Sequence, residues 1–191
     1  MPILGILASA ITGNLVTTAY ASIATTTLSS SQSTITFSSI PATFTHLQIR
    51  GITRCTKPDT GAENVVMAFN SDTTYTNYRT HLLQGTGAVA ETSDLQVSSF
   101  YSNAGLTIGD NATASIYSAT IIDILDYSNT NKNTTVRVLT GIDVNGSGGL
   151  IRLASSVWLN TSAITSISLN PRSANDFKQY SSFALYGIKG A

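Results

Sequence analysis

Charge is scarce in this sequence. Charged residues make up only 10% of its 191 positions, and the ten basic and ten acidic side chains cancel to a formal net charge of zero. Soluble globular proteins average roughly 25% charged residues. The few Lys and Arg are scattered along the chain, whereas nucleic-acid binding requires a concentrated basic face. The composition therefore predicts no nucleic-acid partner.

Cysteine and histidine are almost absent. The chain has one cysteine, Cys55, and two histidines, His46 and His81. A single cysteine forms no intrachain disulfide, so the fold does not depend on oxidation and is compatible with assembly in a reducing bacterial cytoplasm. The sequence also lacks the paired CxxC or HExxH spacing of metal sites. We therefore expect no metal and no cofactor.

Signatures of catalysis are missing as well. No G-x-S-x-G motif occurs, and the glycine-rich residues 146–149 lack the lysine and the following helix of a phosphate loop. Asp123 and Asp126 could form the carboxylate pair of a glycosidase, but their spacing in sequence does not establish the separation that such a site needs. We predict no catalytic residue and no enzyme. An envelope-digesting glycosidase remains the alternative.

The N-terminal segment is apolar but lacks the flanks of a targeting signal. No Lys or Arg precedes Arg50, so the basic region of a signal peptide is missing. Thr12, Gly13 and Asn14 interrupt the apolar run well before the roughly 20 residues of a transmembrane helix. A cleaved signal and a short buried strand are alternatives. We predict instead an apolar arm, residues 1–28, that packs against a neighbouring subunit, and no membrane partner.

The remaining residues, 29–191, follow a β-strand pattern in a chain whose Ser and Thr content exceeds a quarter. Residues 46–52 and 134–144 alternate apolar with polar side chains, and residues 180–189 place Phe183 and Leu185 on one face. Residues 145–149 form the strongest turn signal, and residues 71–87 are predicted to be an exposed loop. The predicted strands are residues 33–37, 46–52, 64–70, 94–101, 114–125, 134–144, 150–160, 163–170 and 180–189.

About nine short strands without an amphipathic helix predict an all-β fold. The strand spacing is typical of an antiparallel β-sandwich, jelly-roll-like, formed as one domain. A parallel α/β fold is excluded because it requires crossover helices.

Several blocks resemble a family of tailed-bacteriophage virion proteins. The most distinctive are residues 34–51 (TITFSSIPATFTHLQIRG) and residues 179–190 (QYSSFALYGIKG). The opening of the family is similar to residues 2–11 and 20–25. Further matching blocks, in family order, are residues 69–72, 76–78, 122–127 and 135–141.

The resemblance implies a virion structural component and carries no catalytic residues. We expect a capsid decoration or cement protein that stabilises the shell through contacts with the major capsid protein or other virion subunits, assembled as a dimer or trimer. The alternative is a tail or fibre module that binds a glycan or receptor on the host surface through the Asn-, Thr- and Tyr-rich loop at residues 71–80. Both alternatives place the protein in the virion, which is assembled in the bacterial cytoplasm.

Overall fold

The computed structural model describes residues 19–59, 61–94, 101–145 and 148–189. Within these ranges the chain forms two antiparallel sheets that pack face to face, and it contains no α-helix. The prediction of an all-β antiparallel sandwich is confirmed. One short 3-10 turn (η1, Tyr75–Asn77) joins two of the strands.

The described residues form twelve strands of the sandwich. In chain order they are β1 (Tyr20–Thr27), β2 (Ile35–Phe37), β3 (His46–Thr53), β4 (Ala62–Phe69), β5 (Tyr78–Gly85), β6 (Ala90–Asp94), β7 (Ser102–Ile108), β8 (Ser118–Leu125), β9 (Thr134–Asp143), β10 (Gly149–Trp158), β11 (Ile167–Pro171) and β12 (Ser182–Ile188). The larger sheet has the order β1-β12-β3-β8-β9-β10-β5-β6, and the smaller sheet has the order β2-β11-β4-β7.

Eight of these strands have the connectivity of a jelly roll. The half-sheet β1-β12-β3-β8 faces β2-β11-β4-β7, and the chain crosses between the two layers as two Greek keys require. Two hairpins interrupt this path: β5–β6 follows β4, and β9–β10 follows β8. Both hairpins join the larger sheet beyond β8, which doubles its width.

Alternation along the strands explains which face is buried. In β9 every second residue from Thr134 to Ile142 is buried, and its intervening residues are exposed. In β3 the predicted inward residues Leu47, Ile49 and Gly51 are all buried. Because successive strand side chains point to opposite faces, these patterns fix the inner layer of the larger sheet. The predicted faces of both strands are confirmed.

The predicted exposed loop at residues 71–87 is wrong for its central part, because residues 78–85 form strand β5. Tyr78, Thr80 and Leu82 point inward and are buried. The Thr80 hydroxyl shares a 2.7 Å hydrogen bond with the Ser156 hydroxyl on β10, which satisfies a buried polar group. A hydroxyl at an inward position hides the apolar alternation by which a strand is recognised in sequence. The predicted strand at residues 94–101 falls mostly outside the described residues, which omit residues 95–100; residue 94 ends β6, and β7 begins at residue 102.

Only part of the predicted arm, residues 1–28, lies within the described residues. Residues 1–18 lie outside the described residues. The remainder belongs to the sandwich, because β1 pairs with β12 at the edge of the larger sheet. Leu28 is 2% exposed, and its backbone N–H donates to the carbonyl of Ser181 at 2.9 Å. Strand pairing and burial therefore place residues 20–28 in the core domain rather than in a separate arm.

Replacing Phe183 with Ala is expected to lower the free energy of unfolding by about 3–5 kcal/mol, the range for deleting a buried aromatic side chain. Phe183 is 4% exposed and meets the Phe177 ring edge-on, with 4.9 Å between ring centroids. Urea unfolding followed by the fluorescence of the single tryptophan, Trp158, measures the change. The control Tyr180→Ala removes a 66% exposed ring and should cost less than about 0.5 kcal/mol. Equal effects of the two substitutions would contradict the packing of β12.

Candidate functional site

His46 lies at the start of β3, at one end of the larger sheet, and contacts the β8–β9 hairpin. Its Nδ1 accepts a hydrogen bond from the backbone N–H of Asp126 at 2.9 Å and lies 3.5 Å from the Asp126 carboxylate. Lys132 also pairs with Asp126, and its hydrogen bond holds the pKa of that carboxyl below its usual value. These contacts tie the β8–β9 hairpin to the start of β3.

Asp123 takes part in a separate set of contacts on the outer face of β8. Its carboxylate accepts a hydrogen bond from Gln48 on β3 at 2.7 Å and another from Arg137 on β9 at 2.7 Å. Asp123 and Asp126 are therefore engaged by different basic groups. Within the described ranges, no hydrogen bond joins the two carboxylates that sequence reasoning considered as a glycosidase pair.

The remaining candidate side chains are not gathered into a site. Cys55 is fully buried, and burial raises the pKa of its thiol. His81 is exposed on β5, and three strands separate it from His46 on β3, a span of about 19 Å at the usual strand spacing. No group of three or more His, Cys, Asp or Glu side chains that could hold a metal occurs in the part of the chain that the structure describes.

The glycine-rich segment is a hairpin turn. The N–H of Val144 donates to the carbonyl of Gly148 at 2.9 Å, and Asn145 and Gly148 have positive φ angles of 57° and 121°. Strands β9 and β10 pair on either side of this turn. Residues 146 and 147 lie outside the described residues. The prediction of a turn rather than a phosphate loop is confirmed by this pairing.

The largest unexplained feature is apolar and lies on the outer face of the larger sheet. Large aliphatic side chains there are between 39% and 58% exposed. We call this surface the outer apolar patch. It comprises Ile52, Leu83, Ile121, Leu139, Ile151 and Leu153. Single exposed apolar residues are ordinary, whereas a contiguous patch marks a contact surface.

Strand register makes the patch contiguous. Ile121 pairs with Leu139, Leu139 pairs with Leu153, and Leu153 pairs with Leu83. Four neighbouring strands, β8, β9, β10 and β5, thus present one aliphatic row across the sheet. Cross-strand neighbours lie about 5 Å apart, so their side chains touch. Ile151 pairs with Gly141 in the adjacent row, which widens the patch toward one end of the strands.

Sequence reasoning missed this patch although a signal was present. Residues 118–125 and 150–158 carry aliphatic side chains at odd and even positions alike. A strand with one face in water alternates apolar with polar residues, whereas a strand covered on both faces is apolar throughout. The double-sided pattern is typical of a strand covered on both faces, whereas in the described structure the outer face of β8 and β10 is exposed.

A polar row borders the patch along one side. It contains Gln48, Asp123, Arg137, Ser155 and His81, each paired with the next across five strands. The Asp123–Arg137 ion pair is 2.7 Å long, with the Arg137 side chain 68% exposed, so it adds little to stability. The row therefore neutralises itself and supplies hydrogen-bonding groups at the rim of an apolar surface.

The edge of the larger sheet carries an aromatic cluster. The guanidinium of Arg50 lies 5.4 Å from the ring centroids of both Tyr20 and Tyr186, and these two rings are 4.9 Å apart. Burial raises the pKa of the Tyr20 hydroxyl, although the Arg50 charge opposes that shift. The cluster holds β1 against β12 and β3 on the outer side.

The loop predicted at residues 71–80 as the alternative surface for host recognition is hydrogen-bonded to the strands beside it, and its residues 78–80 belong to β5. The Asp72 carboxylate accepts hydrogen bonds from Trp158 Nε1 at 2.8 Å and from Asn77 Nδ2 at 2.9 Å. The Tyr78 hydroxyl donates to the carbonyl of Asp72 at 2.9 Å. These groups join the loop to β10 and β5, so they are not free to bind a ligand.

A polar depression of about 410 Å³ lies at the β8–β9 hairpin. Its lining combines the half-buried ring of Phe44 with hydroxyl, amide and carboxyl groups. The lining residues are Phe44, Thr45, Asp126, Ser128, Asn129, Thr130 and Asn131. An aromatic ring beside convergent polar groups is a composition suited to a small polar ligand.

A buried arginine organises the loop that leads into β8. Arg54 is 5% exposed, and its guanidinium donates to the carbonyl oxygens of Asp110, Ala112, Thr113 and Ile116 at 2.6–3.1 Å. Four carbonyl acceptors satisfy a charge that would otherwise be costly to bury.

No family model matches this sequence, and no curated protein and no solved structure shows significant similarity to it. Among the described residues, no helix is long and apolar enough to cross a membrane.

Replacing Arg54 with Lys should lower the free energy of unfolding by about 2–4 kcal/mol, because an ammonium group cannot reach four carbonyls arranged around a planar guanidinium. Thermal and urea melts of the purified proteins measure the loss. The matched control is Arg50→Lys, in an exposed arginine, which should change stability by less than about 1 kcal/mol. Equal stability of the two variants would show that the 110–116 loop does not depend on Arg54.

The Asp72 carboxylate should make stability depend on pH in the acidic range. Burial raises its pKa, but the hydrogen bonds from Trp158, Asn77 and Thr74 outweigh burial and hold the pKa below the usual value. A depressed folded-state pKa contributes stability above the unfolded value of about 3.9, and this contribution is lost as the pH falls through the folded value.

We therefore expect Asp72→Asn to lower the melting temperature at pH 7 and to differ less from the parent protein as the pH falls below about 4. Differential scanning calorimetry from pH 7 to pH 2.5 provides the comparison. Asp143→Asn, in an exposed residue of β9, is the control. A gap between parent and Asp72→Asn that stays constant with pH would contradict the role of the charged form.

Proposed function

We propose that this chain is a non-enzymatic structural subunit of a tailed-bacteriophage particle that works by surface contact. The observation that carries the proposal is the outer apolar patch. It is formed by strand pairing in a rigid sheet, and no assembled catalytic or metal group accompanies it in the described ranges. Apolar surface of this extent favours burial against protein. In the particle, we assign the chain to the capsid as a decoration or cement protein.

Composition and fold support this assignment. Low charge and zero net charge suit a subunit that is permanently packed among others. The jelly roll is an architecture of viral capsid proteins, although it also hosts lectins and cupins, so the fold is support by analogy. The resemblance of residues 34–51 and 179–190 to virion proteins supports the phage particle as the location of the protein.

The proposed partners are the major capsid protein or other virion subunits, together with further copies of this chain as a dimer or trimer. The apolar N-terminal residues 1–18 are proposed to contact a neighbouring subunit. Nucleic acid is not a proposed partner, because the scattered basic residues supply no concentrated positive surface. Membrane is not proposed either.

A tail or fibre module that binds the host surface is the second candidate. The polar depression beside Phe44 favours it, because an aromatic ring with several amide and hydroxyl groups suits a glycan. The loop at residues 71–80 contributes little to this candidate, since the Asp72 carboxylate is already occupied by hydrogen bonds from Trp158 and Asn77.

Quantitative mass spectrometry of purified particles tests the assignment. A decoration protein should be present in hundreds of copies per particle, and immunogold labelling should mark the shell. A tail module should be present in a few to tens of copies and label the tail. Absence of the chain from purified particles would contradict both assignments.

A second experiment tests the absence of enzymatic activity. The purified protein should not hydrolyse host-envelope polysaccharide. Hydrolysis that is lost in a folded Asp123→Asn or Asp126→Asn variant would support the glycosidase alternative instead.

A further inference from the structure

We propose that the outer apolar patch binds a second copy of this chain, with a two-fold axis that runs parallel to the strands and passes between β9 and β10. This proposal rests on the proposed function, because both treat the outer apolar patch as a contact surface. It adds that the partner is a second copy of the chain. The axis lies in the plane between the two copies, so the two larger sheets face each other. The contact is then isologous, as in most homodimers.

The face is large enough for a stable dimer. The axis brings six strands of each copy together: β3, β8, β9, β10, β5 and β6. Five of these strands have eight to ten residues and β6 has five. At about 4.8 Å between strands and about 3.3 Å per residue, they cover roughly 29 Å by 25 Å, on the order of 700 Å² per copy. Specific interfaces bury about 800 Å² per partner. The flat face alone comes close to that requirement.

The register makes the apolar row self-complementary. The rotation exchanges β9 with β10, and β8 with β5, and leaves each residue at its own level along the strands. Leu139 of one copy then faces the partner's Leu153, and Ile121 faces the partner's Leu83. Four exposed side chains, all aliphatic, meet four of the same kind. Two packed sheets lie about 10 Å apart and within about 30° of each other, which keeps these central contacts.

Side-chain shape agrees with this axis. Ile151 is the most exposed member of the patch at 58%, and it faces the partner's Gly141. A Cβ added at Gly141 would meet no atom within 4 Å, so the space above this glycine is open. The protruding Ile151 side chain of each copy thus fits over the flat backbone of the other. A depression of about 520 Å³ beside Leu83 and Leu153 faces the partner's Ile121.

The polar row is complementary as well. Asp123 faces the partner's His81, and Arg137 faces the partner's Ser155. In the neighbouring row, Arg50 faces the partner's Thr92. No two like charges oppose each other among the described side chains of these rows. Because each chain is formally neutral, long-range repulsion does not oppose the association.

Sedimentation velocity over a concentration series tests the dimer. The full chain should sediment as a dimer, and Leu139→Glu should raise the dissociation constant by at least about 30-fold, as expected when a central contact is lost. Leu139 is 44% exposed, so the substitution should leave the melting temperature of the subunit unchanged. The control Tyr75→Glu alters a 39% exposed ring in the η1 turn and should leave the dimer intact.

A cross-link tests the geometry on a folded variant. Leu139→Cys should be joined across the axis by a short bismaleimide, because residue 139 of each copy lies only about half a strand spacing to the side of the axis. Thr36→Cys, exposed on the outer face of the smaller sheet, should not be joined. The native Cys55 is 0% exposed and does not compete. If Leu139→Glu unfolds, Leu153→Ser takes its place in the sedimentation experiment. The cross-link of Leu139→Cys is then measured as before, and the two results together test the dimer.

Three results would overturn the proposed dimer. The first is a parent protein that stays monomeric at 100-fold the concentration at which it binds purified particles, and the second is a trimer. The third is a dimer that persists in Leu139→Glu and that gives no cross-link at residue 139. If the monomer binds purified particles and Leu139→Glu abolishes that binding, the patch contacts a different virion protein, and the proposed function stands without the second copy. A dimer that is missing from particles would instead contradict the proposed function alone.

Discussion

The unbroken register of five neighbouring strands is the constraint on which the rest of this structure depends. Strands β3, β8, β9, β10 and β5 pair without a bulge. Since side chains alternate with a period of two, a slip of one residue in any strand would exchange its inner and outer faces. The same register therefore determines which residues form the core and which form the outer apolar patch. Both faces of β8 and β10 carry several aliphatic residues, so in these two strands the pattern of apolar residues alone would not prevent a slip.

Hydroxyl pairs supply the missing specificity on the inner face. The Thr120 and Thr140 hydroxyls lie 3.0 Å apart between β8 and β9, and Thr80 and Ser156 lie 2.7 Å apart between β10 and β5. All four are buried, and each pair sits at directly opposed positions in the ladder. A shift of two residues would keep these hydroxyls on the inner face but leave them without partners in an apolar layer, at a cost of about 1–3 kcal/mol each. A Ser- and Thr-rich chain thus gains a defined alignment from residues that are usually found on surfaces.

The same hydroxyls explain which elements were predictable from sequence. Strand β9 alternates aliphatic with mostly polar residues, and β12 places the apolar residues Phe183 and Leu185 on one side; the predicted faces of both strands are confirmed. Strand β5 begins Tyr-Arg-Thr-His, where the inward Thr80 breaks the apolar pattern, and it was missed. Strand β1 consists mostly of Ala, Ser and Thr, so nothing local distinguishes it from an extended arm; pairing with β12 decides the matter. The separate partners of Asp123 and Asp126 could not be assigned from the sequence, because the contacts from Gln48 and His46 depend on the pairing of β3 with β8.

The position of the patch within the fold bears on its role. Eight strands complete a jelly roll, and its core is closed by β2, β11, β4 and β7. The inserted hairpins extend the larger sheet, and four of the six patch residues, Leu83, Leu139, Ile151 and Leu153, lie on them. The inner side of these hairpins is anchored by Trp158 and Tyr78, whose rings pack with Phe69 of the smaller sheet. The jelly roll thus acts as a rigid support for an additional surface, and that surface is where contact with a partner is expected, because its outward side chains have no use in the subunit's own core.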